Sequence, residues 1–312
     1  MYINRIKSMI RKNILSLFKP INYINFFSKK KRFNFIINKV RNLYLEGMAH
    51  HDLVPIQKVN KIYKSNNLNI DLFIDTHDYS NVAQVVDPDW EVDIFDYYKT
   101  IKGTKNCFID LGGNIGCHSL FFLNFLNFEK IIYVEPNEKC YELFKKSLSI
   151  QDSLKISKVL SLNKSISEYS GESTLKYFKN NSGSGSSVDY FGKKNKSELM
   201  HQFKSQFNYI NSQNITFDEL FKNISREHKV IIKMDIQGYE PKILLKLSNL
   251  INRYNISHCF FEVNEKDEHT MIEALKRFEG DYLLKDLNNK IIQLVDLKKF
   301  IKRVILLEKI QK

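Results

Sequence analysis

The feature that most constrains the fold of this chain is a glycine-rich turn between a short apolar run and a candidate helix. It reads Phe108-Ile109-Asp110-Leu111-Gly112-Gly113-Asn114-Ile115-Gly116. Glycine permits positive φ and a close approach of the backbone to a ligand, and a helix that starts here presents free N–H groups. The turn therefore predicts a ligand site at a strand-to-helix junction.

From Asn106 onward, short apolar runs alternate with longer helical ones, which is typical of a parallel sheet with crossover helices. Strands are predicted at residues 107–110, 130–135, 156–161, 230–235, 258–263, 282–287 and 304–308, and helices at residues 115–126, 137–149, 216–223, 241–252 and 267–278. We expect a Rossmann-like α/β domain in residues 85–312, with a seven-stranded sheet and helices on both faces. Residues 1–84 are predicted to form a basic, partly helical extension.

The acidic residues around the turn indicate which ligand it binds. A dinucleotide-binding turn would carry GxGxxG, and the glycines here are out of that register. Asp110 instead places a carboxylate at the strand tip, which suits a ligand with an amino group and a sulfonium charge. Glu135 ends the next strand, 25 residues later, where a carboxylate can accept both ribose hydroxyls. Together these features favour S-adenosylmethionine over NAD.

A second group of polar residues lies at the carboxyl end of the fourth predicted strand, in Lys233-Met234-Asp235-Ile236-Gln237-Gly238-Tyr239-Glu240-Pro241. Ligands of open α/β sheets bind at this edge. We therefore expect Asp235 to face the methyl group of the cofactor, with Gly238 permitting close approach. Glu262 and Asn264 end the fifth predicted strand on the same edge.

With these residues the sequence resembles the FkbM family of methyltransferases, which carry a DxGxNxG-type cofactor loop, an EP dipeptide after the second strand and a KxDxEGxE segment at the fourth. The matching residues are Asp110, Gly112, Asn114 and Gly116, then Glu135 and Pro136, then Lys233, Asp235, Gly238 and Glu240. Ser186-Ser187, Phe217-Asp218-Glu219-Leu220 and Phe261-Glu262-Val263 are also similar to the family. The resemblance covers the chain from about Glu91 onward and implies the seven-stranded methyltransferase sheet.

The resemblance implies S-adenosylmethionine-dependent O-methylation of a small-molecule or glycan hydroxyl, as in polyketide tailoring and surface polysaccharide decoration. The implied cofactor-binding residues are Asp110, Gly112, Asn114, Gly116, Glu135 and Asp235. Gln237 departs from the family, which usually has Glu at this position. Either the chain is inactive or uses another base, or this position orients its neighbours by hydrogen bonds that Gln also makes. The second alternative is favoured because Asp235 and Glu240 are kept.

Methyl transfer to an alcohol requires a positioned acceptor oxygen and removal of its proton. Asp235 is the first candidate for the base or acceptor orienter, followed by Glu240 and His118. A lone His such as His118 is more often a structural or cofactor-packing residue. Three functions stay open: methylation of a sugar in a lipid-linked or nucleotide-linked surface glycan precursor, methylation of RNA or protein, and non-catalytic binding of S-adenosylmethionine.

The net charge of +13 is concentrated near the N terminus, where residues 1–50 hold eleven basic residues and one acid. A basic arm on a near-neutral body indicates that the arm meets an anionic surface or a polyanionic ligand, and it favours RNA less as the substrate than a basic body would. One apolar stripe before Pro20 predicts a basic amphipathic helix: Ile3, Ile6, Ile10, Ile14 and Leu17. Residues 1–41 are expected either to contact an anionic membrane peripherally or to pack on their own domain.

Three further features bear on location and ligands. The four cysteines form no CxxC pair and have no His at zinc spacing, so no metal is expected. No signal peptide and no apolar run of about 18 residues is found, so a soluble, cytoplasmic protein is expected. Peripheral contact with the inner face of the membrane is one of the two alternatives for the basic arm. Residues 179–196 have loop composition and are predicted to be a lid or a flexible insert.

Overall fold

The computed structural model describes residues 61–64, 68–87, 89–103, 106–126, 128–187, 207–264 and 268–310. The chain divides into two compact units, Met1–Ile56 and Gln57–Lys312. All helices and strands of the described residues belong to the second unit. The amphipathic helix predicted before Pro20 lies outside the described residues, and the predicted division between residues 84 and 85 stays a prediction.

Among the described residues, four elements precede the main sheet, and the two strands among them form an antiparallel hairpin. They are strands β1 (Lys61–Lys64) and β2 (Asp71–Ile74) and helices α1 (Tyr79–Val86) and α2 (Val92–Tyr98). The side chain of Asp78 caps α1, because its Oδ1 accepts a hydrogen bond from the Asn81 N–H at 3.1 Å. This cap is part of a larger polar network.

The rest of the described chain alternates strands with helices. In order, these elements are β3 (Asn106–Leu111), α3 (Cys117–Phe125), β4 (Lys130–Val134), α4 (Glu138–Ser149), α5 (Ser153–Ile156), β5 (Val159–Leu162), β6 (Ser165–Ile166), β7 (Glu172–Phe178), β8 (Asn181–Ser187), β9 (Phe207–Ile215), α6 (Phe217–Phe221), β10 (Lys229–Met234), α7 (Glu240–Leu247), β11 (Asn255–Glu262), α8 (Glu268–Lys276), β12 (Tyr282–Lys285), a 3₁₀ helix (Leu294–Phe300) and β13 (Val304–Lys309). Among the described residues, no helix is long and apolar enough to cross a membrane.

Seven strands form one sheet in the order β12-β13-β11-β10-β3-β4-β5. Strand β13 is antiparallel to both of its neighbours, and the other adjacent pairs are parallel. The strand order reverses at β3, which lies between β4 and β10. Ligands of such sheets bind outside the carboxyl ends of the strands at this switch point. The predicted Rossmann-like fold with a seven-stranded sheet is confirmed.

Both faces of the sheet are buried, which explains why its central strands read as continuous apolar runs rather than as alternating ones. Every residue of β3 is buried. On one face, Ile109 and Ile232 belong to the same apolar cluster as Leu244 of α7. On the other face, Phe108 stacks on Phe122 of α3 with ring centroids 3.7 Å apart. The two clusters pack against opposite faces of the sheet and fix the position of the carboxyl ends of β3 and β10.

The predicted strand over residues 156–161 is wrong at its start, since β5 begins at Val159. The preceding residues form the short helix α5 instead. Asp152 caps this helix, and its Oδ1 accepts a hydrogen bond from the Leu154 N–H at 2.8 Å. An N-cap of this kind stabilises a helical turn where apolar composition alone favours a strand.

The predicted loop over residues 179–196 is also wrong in its first part, because Asn181–Ser187 is strand β8. It pairs antiparallel with β7 through a tight turn at Lys179 and Asn180, and Asn180 adopts a φ of 58°. With β6 and β9 these strands form a second, four-stranded sheet in the order β6-β9-β7-β8. Residues 188–196 of the predicted loop lie outside the described residues.

Candidate active site

The glycine turn after β3 packs tightly against its neighbours. Gly112 and Gly116 have φ values of 74° and 84°, which favour glycine. A Cβ atom at Gly112 would clash with the carbonyl oxygen of Asp235, and one at Gly116 would clash with the Phe144 ring. The Gly112 N–H also donates to the carbonyl oxygen of Val134 at 3.0 Å. These glycines thus permit close packing against Asp235 and Phe144, and the predicted close approach to a ligand stays a prediction.

Asp110 lies beneath this turn with its side chain fully buried. Its Oδ2 accepts a hydrogen bond from the Ser119 hydroxyl at 2.8 Å. Its Oδ1 has no hydrogen-bond partner within the described part of the chain. A buried carboxylate oxygen without a donor is costly, and the ammonium group of a bound amino acid moiety would satisfy it. Asp110 therefore fits the role predicted for it in binding the methyl donor.

Glu135 joins the glycine turn to the start of α4. Its Oε2 accepts from the Asn114 N–H at 2.9 Å and its Oε1 from the Asn137 N–H at 2.8 Å. The side chain is 5% exposed, and burial raises the pKa of Glu135 to about 7, although the two amide donors act in the opposite direction. Each carboxylate oxygen retains a free lone pair, so the group keeps the capacity to accept ribose hydroxyls.

Asn114 connects the turn to the second sheet and to α1. It has a φ of 49°, and its Oδ1 accepts from the Ile115 N–H at 2.8 Å. Its Nδ2 donates to the Ser182 hydroxyl at 3.2 Å, while Asn81 Nδ2 donates to its Oδ1 at 3.3 Å. Asn114 was predicted to contact the cofactor, and in the structure its side chain also fixes the turn to two neighbouring elements.

Asp78 is the centre of a polar network whose long-range part has no signal in the sequence. Its Oδ1 accepts from the hydroxyls of Ser80 at 2.7 Å and Ser182 at 3.0 Å, and its Oδ2 accepts from the Ser182 N–H at 2.9 Å. The Asp78-Tyr79-Ser80-Asn81 stretch carries a helix-capping pattern that predicts the local part of this network. Ser182 lies 104 residues away from Asp78, and no local pattern links the two.

Asp235 follows β10 and is held by two neighbours. Gln237 Nε2 donates to its Oδ1 at 2.6 Å, and the Lys233 ammonium lies 3.5 Å from its Oδ2. Lys233 is buried, whereas the Asp235 side chain is 36% exposed. Burial opposes the charge on Lys233, but Asp235, Asp110 and Glu91 outweigh it and raise the pKa of Lys233. The hydrogen bond from Gln237 supports the orienting role predicted for this position.

Glu240 lies at the first position of α7 with no exposed surface. Its Oε1 accepts from the Ile236 N–H at 2.9 Å and its Oε2 from the Gly238 N–H at 2.7 Å. Burial raises the pKa of Glu240 to about 8. Both oxygens are thus used to shape the turn that carries Asp235. The geometry supports a positioning role, and the catalytic role predicted for Glu240 stays untested.

His118 is enclosed by aromatic rings at the start of α3 and is 3% exposed. It stacks on Phe95, with ring centroids 4.8 Å apart, and its Nδ1 lies 3.3 Å from the Tyr98 hydroxyl. Its Nε2 is 2.7 Å from a carboxylate oxygen of Glu91, at an angle that misses hydrogen-bond geometry. Burial raises the pKa of Glu91, but the contact with His118 outweighs it and lowers that pKa. This surrounding favours the structural role; the catalytic role of His118 stays untested.

A polar cavity of about 620 Å³ opens beyond Glu135, between α4 and the second sheet. Amide, hydroxyl and aromatic side chains line it, including Asn163, Tyr177, Asn181 and Tyr209. Tyr209 is 38% exposed and offers a ring face. The volume lies within the range of small-molecule sites. Among the described residues, no group of His, Cys, Asp and Glu could hold a metal ion, and the four cysteines are buried and free.

The sheet order, the glycine turn at its switch point and the acids at neighbouring strand ends define a Rossmann-like α/β domain with a ligand site at the carboxyl edge of its sheet. Residues 110–286 match the model of the methyltransferase FkbM domain, which is more than half of the 312 residues. The chain therefore belongs to the FkbM methyltransferase family. The resemblance predicted from the motifs is confirmed.

Solved structures similar to the chain include methyltransferase FkbM from Methylobacillus flagellatus KT, at 12% identity, with 67% of this chain and 45% of that chain covered and a TM-score of 0.43. An rRNA methylase from Streptococcus thermophilus matches at 10% identity, 70% and 95% coverage and a TM-score of 0.37. A putative methyltransferase from Streptococcus mutans in complex with SAH matches at 12% identity, 70% and 96% coverage and a TM-score of 0.36. The chain spans less than half the length of the first of these. No curated protein matches the chain.

Proposed function

We propose that this protein transfers a methyl group from S-adenosylmethionine to a hydroxyl of a sugar in a surface polysaccharide or glycolipid precursor. The observation that carries the proposal is the partly exposed Asp235 carboxylate, held by Gln237 and Lys233 against the glycine turn. A carboxylate in this place can accept the hydrogen bond of an alcohol and orient its oxygen for in-line attack. The resemblance to the FkbM family supports oxygen as the atom that accepts the methyl group.

The charge of this edge supports a neutral acceptor. Asp235, Asp110 and Glu91 raise the pKa of Lys233, and together with Glu262 these acids outnumber the cations Lys233 and Lys302. An acidic edge repels the phosphates of a nucleic acid, whose binding depends on Lys and Arg. A sugar hydroxyl carries no charge and meets no such penalty. The electrostatics therefore favour a glycan over RNA.

The residues predicted to hold the methyl donor fit it. Asp110 offers its unpartnered oxygen to the amino group, and Glu135 offers lone pairs to the ribose hydroxyls. When bound, S-adenosylmethionine supplies an electrophilic methyl carbon on a sulfonium. The cavity beyond Glu135, with its amides and the exposed ring of Tyr209, has chemistry suited to a sugar unit of the acceptor.

The test is a mass-shift assay with methyl-labelled S-adenosylmethionine. The full chain is incubated with nucleotide-linked and lipid-linked glycans, with RNA and nucleosides, and with peptides. We expect label only in the glycans, at an oxygen that borohydride reduction and methylation analysis then locate. Label in RNA or peptide would overturn the choice of acceptor. Tight binding of the cofactor without label in any of the tested acceptors would support the non-catalytic alternative instead.

Peripheral contact with an anionic membrane on the cytoplasmic side is the second part of the proposal. It derives from the basic residues within positions 1–41, each of which adds roughly 1 kcal/mol at an anionic surface. Vesicles of phosphatidylcholine with and without phosphatidylserine are sedimented with the full chain and with a chain lacking residues 1–41. We expect only the full chain to co-sediment, and only with anionic vesicles. Equal co-sedimentation of both chains with anionic vesicles would contradict the proposed membrane contact.

A further inference from the structure

We infer that Glu262 is the general base that accepts the proton of the acceptor hydroxyl during methyl transfer. Glu262 is the last residue of β11, directly beside β10 in the sheet. The two strands are parallel, and Met234 lies opposite Phe261. Asp235 and Glu262 each follow one residue after this last pair, and the charge of Asp235 acts on the Glu262 carboxylate. The inference rests on the proposed transfer to oxygen.

The alternation of side chains along the strands puts Glu262 on the face of the reaction site. Met234 and Phe261 are buried together in the apolar cluster of one face. Because successive side chains of a strand point to opposite faces, Asp235 and Glu262 share the other face. Lys233 is in register with Asp110 on that face, beneath the glycine turn. Glu262 thus stands with the side chains that surround the predicted methyl group.

The partners of the two neighbouring carboxylates differ. Asp235 is held by the Lys233 ammonium and by the amide of Gln237. Glu262 is half-buried, and no residue in the described part of the chain donates a hydrogen bond to its carboxylate. A carboxylate that is already hydrogen-bonded is suited to orient the acceptor. One that has no donor is suited to take up a proton.

The electrostatic surroundings of Glu262 agree with this division of roles. Burial, followed by the charges of Asp235 and Glu91, raises the pKa of Glu262 to about 7, whereas Lys233 and Lys302 act to lower it. These groups face it from β10, from the start of α2 and from the turn before β13. A base is most effective when its pKa lies near the working pH. Glu262 meets this condition while part of its side chain stays accessible.

The step balances with Glu262 as the proton acceptor. The acceptor oxygen forms a bond to the methyl carbon as the carbon–sulfur bond breaks, and that electron pair stays on sulfur. The hydroxyl proton passes to a carboxylate oxygen of Glu262. The products are a methyl ether, S-adenosylhomocysteine and a neutral Glu262 carboxyl, which afterwards releases its proton to water.

The first experiment needs no acceptor, because it uses two cofactor analogues as probes. Sinefungin carries an ammonium group where the methyl sulfonium stands, and S-adenosylhomocysteine lacks it. Calorimetric titrations at pH 6 and pH 8 give the ratio of the two affinities. In the wild type, the affinity for sinefungin relative to that for S-adenosylhomocysteine should rise roughly tenfold from pH 6 to pH 8, because the Glu262 carboxylate ionises over this range. Glu262→Gln should show no such gain.

Glu279→Gln is the matched control, because Glu279 is exposed after α8 and its substitution removes the same charge. It should reproduce the wild-type gain. An unchanged gain in Glu262→Gln, or no gain in the wild type, would overturn the inference. If Glu262→Gln fails to bind S-adenosylhomocysteine, Glu262→Asp replaces it, since it keeps the charge on a shorter side chain. A reduced gain in Glu262→Asp supports the inference, and a full gain contradicts it.

The second experiment measures kcat/KM against pH for the glycan that takes up label. Glu262→Gln should lose roughly 100- to 10,000-fold, together with the ionisation near pH 7, at unchanged affinity for S-adenosylhomocysteine. Retention of that ionisation in Glu262→Gln would count against Glu262 as the base. Failure of the proposed function and failure of the role of Glu262 give different results. A labelled RNA or peptide contradicts the proposed acceptor, whereas the ratio of sinefungin to S-adenosylhomocysteine affinity tests Glu262 with any acceptor.

Discussion

Gln237 donates a hydrogen bond from its Nε2 to Oδ1 of Asp235, at 2.6 Å, across a turn in which Gln237 itself has a φ of 52°. The FkbM family usually has Glu at this position, so the chain has exchanged an acid for a neutral donor. The exchange leaves Asp235 as the only acid of this pair, with Lys233 beside it. Asp235 and Gln237 can therefore keep one protonation state, whereas an Asp and a Glu at these two positions would share a proton.

Gln237→Glu should make stability more sensitive to pH. Two carboxylates at this distance would retain a proton in the folded state, so one pKa would be raised above the value of about 4.3 in the unfolded chain. A raised carboxyl pKa contributes stability at low pH that is lost as the pH rises. We expect the Tm of the variant to fall more between pH 5 and pH 8 than that of the wild type. Gln237→Met, which adds no charge, should keep the wild-type difference; an equal difference in Gln237→Glu would contradict the prediction.

Gly112→Ala should abolish tight binding of the cofactor. The new Cβ would meet the carbonyl oxygen of Asp235 at a position where φ is also positive, so the turn must move away from β10. Gly280→Ala is the matched control, because its φ is 85° and a Cβ there meets nothing within 4 Å. The control should lose about 1 kcal/mol of stability through the backbone alone. Calorimetry with S-adenosylhomocysteine and denaturant unfolding compare the two, and similar binding in both would show that the close approach is unimportant.

Ser182→Ala should weaken the cofactor site from a distance. The Ser182 hydroxyl bonds to Asp78 and Asn114, so its loss frees the glycine turn from β8. Loss of these partly buried hydrogen bonds costs about 1 to 3 kcal/mol, and we expect up to roughly tenfold weaker binding of S-adenosylhomocysteine. The control is Ser184→Ala in the same strand, since the Ser184 hydroxyl bonds within the hairpin, to Asn181 and Phe178. Hydrogen exchange over residues 106–126 should rise only in Ser182→Ala.

Glu240→Gln should flatten the dependence of stability on pH. Burial raises the pKa of Glu240 to about 8, against about 4.3 in the unfolded chain. The stability that this group contributes is present in full below about pH 4.3 and is lost as the pH rises toward 8. Glutamine does not titrate, so the variant should lose less stability between pH 5 and pH 8. It should also be less stable by about 1 to 3 kcal/mol, because its amide meets a backbone N–H. An undiminished slope would contradict the raised pKa.

The central sheet was largely predictable because its strands carry their own signals. Residues 107–110 and 230–235 are short apolar runs that end in an acid, and they became β3 and β10 with shifts of one residue at either end. A buried parallel strand needs such a run, whatever its neighbours are. The order of acids at the strand ends then indicated the class of cofactor. These inferences used local pattern alone.

The missed features depend on partners far along the chain. The Ser and Gly residues of β8 have loop composition, yet the strand is held by Asp78 and Ser80, about a hundred residues earlier. A sequence motif also does not indicate whether its side chains are buried. Glu240 and His118 lie near the site in sequence, but tertiary packing withdraws both side chains from solvent. Whether an acid orients, caps or reacts is therefore set by contacts that only the fold supplies.

Titration of the full chain with S-adenosylmethionine, compared with Asp110→Ala, tests the central claim most directly. Asp110 leaves one buried oxygen without a donor under the glycine turn, and a charged hydrogen bond there is worth about 1.5 to 3 kcal/mol. We expect the wild type to bind and Asp110→Ala to bind roughly 10- to 100-fold more weakly. Asp89→Ala, which removes an exposed acid, should match the wild type. Equal affinity in Asp110→Ala and wild type, or no binding by the wild type, would contradict the assignment of this turn to the methyl donor.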